Sequence, residues 1–144
     1  MKKLVSAIVV LTVIVIFFGC KDEVIDSQVF VNERLLGRWP LKYRITTVYT
    51  NNIAAAPDTV NYNPVDTLIF TSDGMATTRN KTVISSSPYS VDARGENITF
   101  NQTPPLTLQI RFIRYSSIGF GTETTTKNGA NEIRTVIEDH YLRQ

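Results

Sequence analysis

The chain is poor in the residues from which active sites are usually built. Its 144 residues include one cysteine, Cys20, and one histidine, His140. A lone cysteine excludes an internal disulfide, a paired-thiol redox site and a thiolate metal centre. A lone histidine removes most nucleophilic triads and zinc sites, which need histidine beside partners at defined spacing. On a strand, Glu138 and His140 share one face and Asp139 takes the other. We read this as a polar outward face, with a lone base or metal ligand as the alternative. Excess charge is missing too. Fifteen basic residues stand against 13 acidic ones, and no basic stripe of the kind that holds nucleic acid is present. Gly119-Phe120-Gly121 lacks the following helix that a phosphate loop requires. Asp73, Asp92 and Glu96 fall in or beside turns, where acids are common, and no spacing singles out a carboxylate pair for glycoside hydrolysis. The expectation is a protein without enzymatic activity, cofactor, metal or nucleic-acid partner.

Long apolar runs are scarce as well, and the one that exists is at the start. Lys2 and Lys3 precede Leu4–Phe18, which is followed by Gly19. A positive start, about 7–15 apolar residues and a small residue make a secretion signal. The run is short for a membrane-spanning helix, which wants about 20 apolar residues. Phe17-Phe18-Gly19-Cys20 resembles the lipobox of bacterial lipoproteins, although that family prefers leucine at the first position and a smaller residue at the second. The resemblance implies that the chain is cut before Cys20 and that the thiol of Cys20 takes a diacylglycerol. The alternative is an uncleaved anchor helix with an incidental cysteine. Two or more acyl chains give stable membrane attachment. Lys21-Asp22-Glu23 resembles the signal that sends lipoproteins of a large group of Gram-negative bacteria to the outer face of the outer membrane. Display toward the periplasm is the alternative.

The expected division is a signal peptide over 1–19, a lipidated cysteine and tether over 20–34, and one domain over 35–144. Loss of Lys2 and Lys3 with the signal leaves thirteen basic residues against thirteen acidic ones. Val24 to Asn32 reads as linker, with one helical turn at Glu33–Leu36. Beyond it the apolar period is 2, the mark of half-buried strands. Leu41–Tyr49 puts apolar and aromatic residues at odd positions; Leu106–Phe112 puts them at even ones. Asn51–Pro64 reads as a long loop, Pro88 as a break, and Asn128-Gly129 as a two-residue hairpin turn. About eight strands at roughly ten-residue spacing predict an all-β fold, an antiparallel up-and-down barrel or a sandwich.

Aromatic residues are the remaining constellation. Alternation from the strand starts places Tyr43, Tyr49, Tyr89, Phe100, Phe112, Phe120 and Tyr141 on an inward face. Tyr43, Tyr89, Phe100, Phe112, Phe120 and Tyr141 are the candidate ligand-lining set, with plain core packing as the alternative. An eight-stranded barrel can just be filled by side chains or can hold one small ligand. In a domain of this size any pocket should be shallow and near the mouth. Gly37-Arg38-Trp39 before the first strand resembles the Gly-x-Trp signature of lipocalins. Leu68–Gly74 and Tyr89–Asp92 extend the likeness to lipocalin-like domains of bacterial surface lipoproteins. The resemblance implies an eight-stranded barrel closed at one end by Trp39, with Arg143 packed over it and Gly37 completing the signature. It also implies a small apolar or amphipathic ligand; a module that docks onto another envelope protein or a glycan is the second expectation. Asp58-Thr59-Val60 resembles an O-glycosylation site of exported proteins.

Overall fold

The computed structural model describes residues 27–63, 66–79 and 81–144. The signal segment, Cys20 and Lys21-Asp22-Glu23 lie outside the described residues. Among the described residues, one helix, α1 (Ser27–Leu35), precedes eleven strands. These are β1 (Gly37–Thr50), β2 (Ile53–Ala54), β3 (Asp58–Asn61), β4 (Asp66–Phe70), β5 (Met75–Arg79), β6 (Thr82–Ser87), β7 (Tyr89–Val91), β8 (Asn97–Phe100), β9 (Leu106–Ile113), β10 (Ser117–Asn128) and β11 (Asn131–Leu142).

The strands form one antiparallel sheet in the order β6-β5-β4-β1-β11-β10-β9-β8-β7. Sequential neighbours pair from β4 to β6 and from β7 to β11, and β1 pairs with both β4 and β11, so the sheet curls into a nearly closed up-and-down barrel. The all-β barrel class read from the spacing is the class observed, with eleven strands in place of about eight. The difference arises because β5 and β6 are two strands paired with each other and because the stretch after β1 adds β2 and β3; the break expected at Pro88 is present. Only Pro88 separates β6 from β7. Proline has no N–H for the ladder, so one passage breaks there. Its first half pairs with β5 and its second with β8. The stretch expected as a loop after β1 instead folds back on it, with Tyr43–Thr46 paired to β3 and Tyr49–Thr50 to β2. Thr59 is therefore an exposed strand residue.

Strand faces follow alternation until bulges reset it, and two of these lie on the strands that carry the candidate site. The β1–β11 register shifts between Leu41 and Tyr43, which leaves Lys42 as the extra residue. The β10–β9 register shifts between Gly119 and Phe120, which leaves Arg111 as the extra residue. A bulge puts two neighbours on the same face and moves every later residue by one. Leu41 therefore points inward and so does Arg44, while Tyr43 is turned out. On β9, Ile110 and Ile113 pack against the core, and Phe112 is turned out.

The buried cluster includes Leu35, Trp39, Phe70, Ile98, Phe100, Ile118 and Phe120. Phe70 sits at its middle, with ring centroids of Tyr89, Phe100 and Phe120 at 5.2, 6.3 and 6.3 Å. The span expected as linker contains α1, whose Val31 and Leu35 lie one turn apart and are both buried. Apolar Val29 and Phe30 interrupt a clean stripe, and so short a helix owes its stability to tertiary packing. Helix ends leave carbonyls without internal partners. Here the Trp39 indole N–H donates to Leu35 O at 2.6 Å, and an Arg143 N–H donates to Leu36 O at 2.6 Å. The Arg143 guanidinium lies 5.2 Å from the Trp39 ring centre. The described strands, the core and the closing end are packed together within residues 27–144.

Turn chemistry differs in one detail. Asn128 pairs with Asn131, so the turn residues are Gly129 and Ala130. Gly129 takes φ +62°, which glycine adopts without steric cost.

Candidate functional site

At the end of the barrel away from α1, the inner faces enclose a cavity of about 400 Å³. Its apolar lining includes Leu68, Met75, Phe100, Leu108, Phe120 and Ile137. Thr77, Ser85, Gln102 and Thr122 add uncharged polar groups. Volume and lining fall within the range of small-ligand pockets. The cavity reaches inward to core residues Phe100, Phe120 and Tyr141, so it is deeper than the shallow rim pocket expected from chain length.

A salt bridge lies in the cavity wall. Arg44 Nε and Nη2 donate to the two carboxylate oxygens of Asp139 at 2.6 and 2.8 Å. Their side chains are 39% and 20% exposed, so the pair faces the cavity space without being sealed. The register explains the meeting: Arg44 pairs with Asp139, Asp139 with Phe120, and Phe120 with Ile110. These four residues form one inward row across four strands. The hydrogen bonds that Arg44 donates to Asp139 hold the guanidinium above its already high ordinary value. Burial, and then the Asp139 carboxylate, push the Tyr141 hydroxyl well above the usual tyrosine range.

The six candidate aromatic residues separate into three groups. Phe100, Phe120 and Tyr141 line the cavity. Tyr43 and Phe112 do not; they lie on the outer face, in the next row of the register. Tyr43 pairs with His140, His140 with Gly119, and Gly119 with Phe112. The Tyr43 ring stacks on His140 at 4.4 Å, and Phe112 approaches His140 at 5.0 Å. The two bulges cause this, since alternation without them would send both rings inward. Tyr49 is also outside, with Arg134 at 4.0 Å from its ring centre. Tyr89 points at the core but not at the cavity. It meets Phe70 edge-on and its hydroxyl donates to Thr71 O at 3.3 Å.

Gly37, Trp39 and Arg143 come together at the opposite end, where Trp39 is fully buried. A Cβ at Gly37 would stand 3.3 Å from Arg143 Nη2. These three form a plug and are not part of the lining of that cavity. His140 and Glu138 share the outer face, with Nε2 to Oε2 at 3.9 Å, and Asp139 faces the other way. Gly119 and Gly121 sit inside an unbroken strand rather than at a bend. They lie beneath the outward side chains of Phe112 and Arg111, where a Cβ would collide.

Arg44 and Asp139 are the site residues that sequence reasoning missed. Strand parity did separate Asp139 from Glu138 and His140. The partner stayed hidden because the bulge at Lys42 reverses the parity that would have pointed Arg44 outward. Among the described residues, no group of three His, Cys, Asp or Glu side chains could hold a metal ion. The Asp139 carboxylate is engaged on both oxygens by Arg44, and the cavity wall offers polar anchoring to a bound molecule. The chain matches no protein-family model and no curated protein.

Proposed function

We propose that this chain is a lipid-anchored envelope lipoprotein whose lipocalin-like barrel binds a small apolar or amphipathic ligand and acts by binding rather than catalysis. The observation that supports it most is the cavity of about 400 Å³ inside the barrel, lined mainly by apolar side chains with a few polar groups. Pockets of about 300–1,000 Å³ with such a lining are the usual form of small-molecule sites. The plug of Trp39 under Arg143 supports the lipocalin likeness, because it leaves one end sealed and the other open. Acyl chains on Cys20 supply the membrane attachment, and Lys21-Asp22-Glu23 directs the barrel to the outer face of the outer membrane. The test is native mass spectrometry of Lys21–Gln144 purified from cells. A co-purifying small amphipath is expected. An empty protein that also shows no thermal shift across a panel of lipids would overturn the reading.

A second reading, docking onto another envelope protein, is favoured by one observation. Strand β6 ends the sheet order, and its Val83 and Ile84 are 59% and 51% exposed. An unpaired strand edge is a template for a partner strand. Crosslinking on intact cells would trap a constant neighbour through Val83 or Ile84 if this reading holds, and repeated absence of one would sink it.

A further inference from the structure

From the wall of the cavity we infer that the ligand is an uncharged amphipath, with a hydroxyl-type head group seated on the Arg44–Asp139 pair and a chain of about ten carbons in the apolar part. This rests on the ligand-binding reading above and narrows it to a chemical class. The argument starts from charge. The cavity lining contains two charged residues, and each is the other's partner at 2.6 and 2.8 Å. The wall is therefore neutral as a unit. A carboxylate entering it would gain attraction from Arg44 and meet repulsion from Asp139 at almost the same distance. An ammonium would meet the reverse. Either ion would give up its hydration with no net charge to replace it, which is costly in a confined apolar space.

A hydroxyl has no such conflict. A guanidinium carries five N–H donors in a fixed fork, and an ionised carboxylate has about four acceptor positions. The pair uses two of each. The remaining donors of Arg44 and acceptors of Asp139 belong to one hydrogen-bonded pair in the cavity wall. A hydroxyl can accept from the first and donate to the second. Hydrogen bonds to charged groups are the stronger kind. The Tyr141 ring, in the same lining, completes the polar end of the site.

The rest of the cavity sets the size. A group the size of a water takes about 30 Å³ of liquid volume, so about 400 Å³ holds on the order of a dozen non-hydrogen atoms. Leu68, Met75, Leu108, Phe120 and Ile137 line the space for the chain. Decanol, decanoate and decylammonium match that size and differ only in the head group.

The experiment is isothermal titration calorimetry of Lys21–Gln144 with these three ligands at neutral pH, each below its aggregation concentration. Decanol is expected to bind at least about tenfold more tightly than either ion, one factor of ten in the dissociation constant. Asp139→Asn leaves the Arg44 charge unpaired and should make decanoate the tightest of the three. Arg44→Met leaves Asp139 unpaired and should make decylammonium the tightest. Circular dichroism checks the fold of each variant, and either one alone suffices to test the reversal. If an ion binds the natural sequence as tightly as decanol, or if the ranking stays the same in a folded variant, the head-group inference is overturned and ligand binding stands. If none of the three binds the natural sequence, ligand binding falls with it.

Discussion

Replacing Trp39 by Phe tests the plug, because it removes one hydrogen bond and keeps most of the ring. Trp39 is fully buried and its Nε1–H donates to Leu35 O at 2.6 Å. Phenylalanine leaves that helix-terminal carbonyl without a partner, at a cost of about 1–3 kcal/mol. The Arg143 guanidinium at 5.2 Å keeps a weaker aromatic face, for a loss of about 0.5 kcal/mol. Full truncation of a core Trp costs about 3–5 kcal/mol, and Phe keeps most of that volume, which adds about 1 kcal/mol. The expected loss is about 2.5–4.5 kcal/mol against a total stability of about 5–15 kcal/mol for a domain. Urea unfolding followed by far-ultraviolet circular dichroism measures it, since Trp39 is the sole tryptophan and fluorescence disappears with the variant. The midpoint should fall with the slope unchanged. Arg143→Met, alone and combined with Trp39→Phe, isolates the pair through a double-mutant cycle. A coupling of about 0.5–1 kcal/mol is expected. A Trp39→Phe loss below about 1 kcal/mol would refute the reasoning that the indole hydrogen bond seals the end of the barrel.

The outer row gives a second prediction. Gly119→Ala drives a methyl group into the Phe112 ring and should cost about 1–3 kcal/mol in urea unfolding; adding Phe112→Ala should remove most of that further cost, and additive losses would contradict the packing. At acid pH, the Arg79 guanidinium hydrogen-bonded to Asp66 holds that carboxyl below the usual carboxylate range. The stability it contributes is present above about pH 4 and lost as pH falls through the lowered value. Asp66→Asn should flatten that part of the stability–pH curve, and an unaltered acid limb would count against the pair. At the other extreme, the raised Tyr141 hydroxyl contributes stability that is complete below about pH 10 and lost as pH rises through the raised value. Spectrophotometric titration should show one tyrosine that ionises only on unfolding, and Tyr141→Phe should abolish it; a full tyrosine count titrating in the folded protein is the contrary result. Finally, palmitate fed to cells should label the natural chain and leave Cys20→Ala unlabelled; a natural chain without label would rule out lipidation.

The barrel class was legible because its cause is local. Period-2 runs such as Leu106-Thr107-Leu108-Gln109-Ile110 and short turns force antiparallel pairing of neighbours, and pairing of β1 with β11 spares the sheet two open edges. Phe100, Phe120 and Tyr141 were placed on the cavity side because no bulge comes between them and the strand positions that fix their parity. Of helix α1 only the last turn was legible, because its two buried residues make sense only against the end of a barrel already formed.

By itself, then, the sequence determined the all-β barrel and the parity of the uninterrupted strands, since these depend on side-chain alternation and on turn residues. Tertiary structure alone decided what the cavity contains. The extra residues Lys42 and Arg111 are absorbed as bulges where four strands meet. Each shifts the face of every residue after it, which sends Tyr43 and Phe112 outward and brings Arg44 in beside Asp139. A bulge is a property of two strands in register, and one strand read alone carries no sign of it.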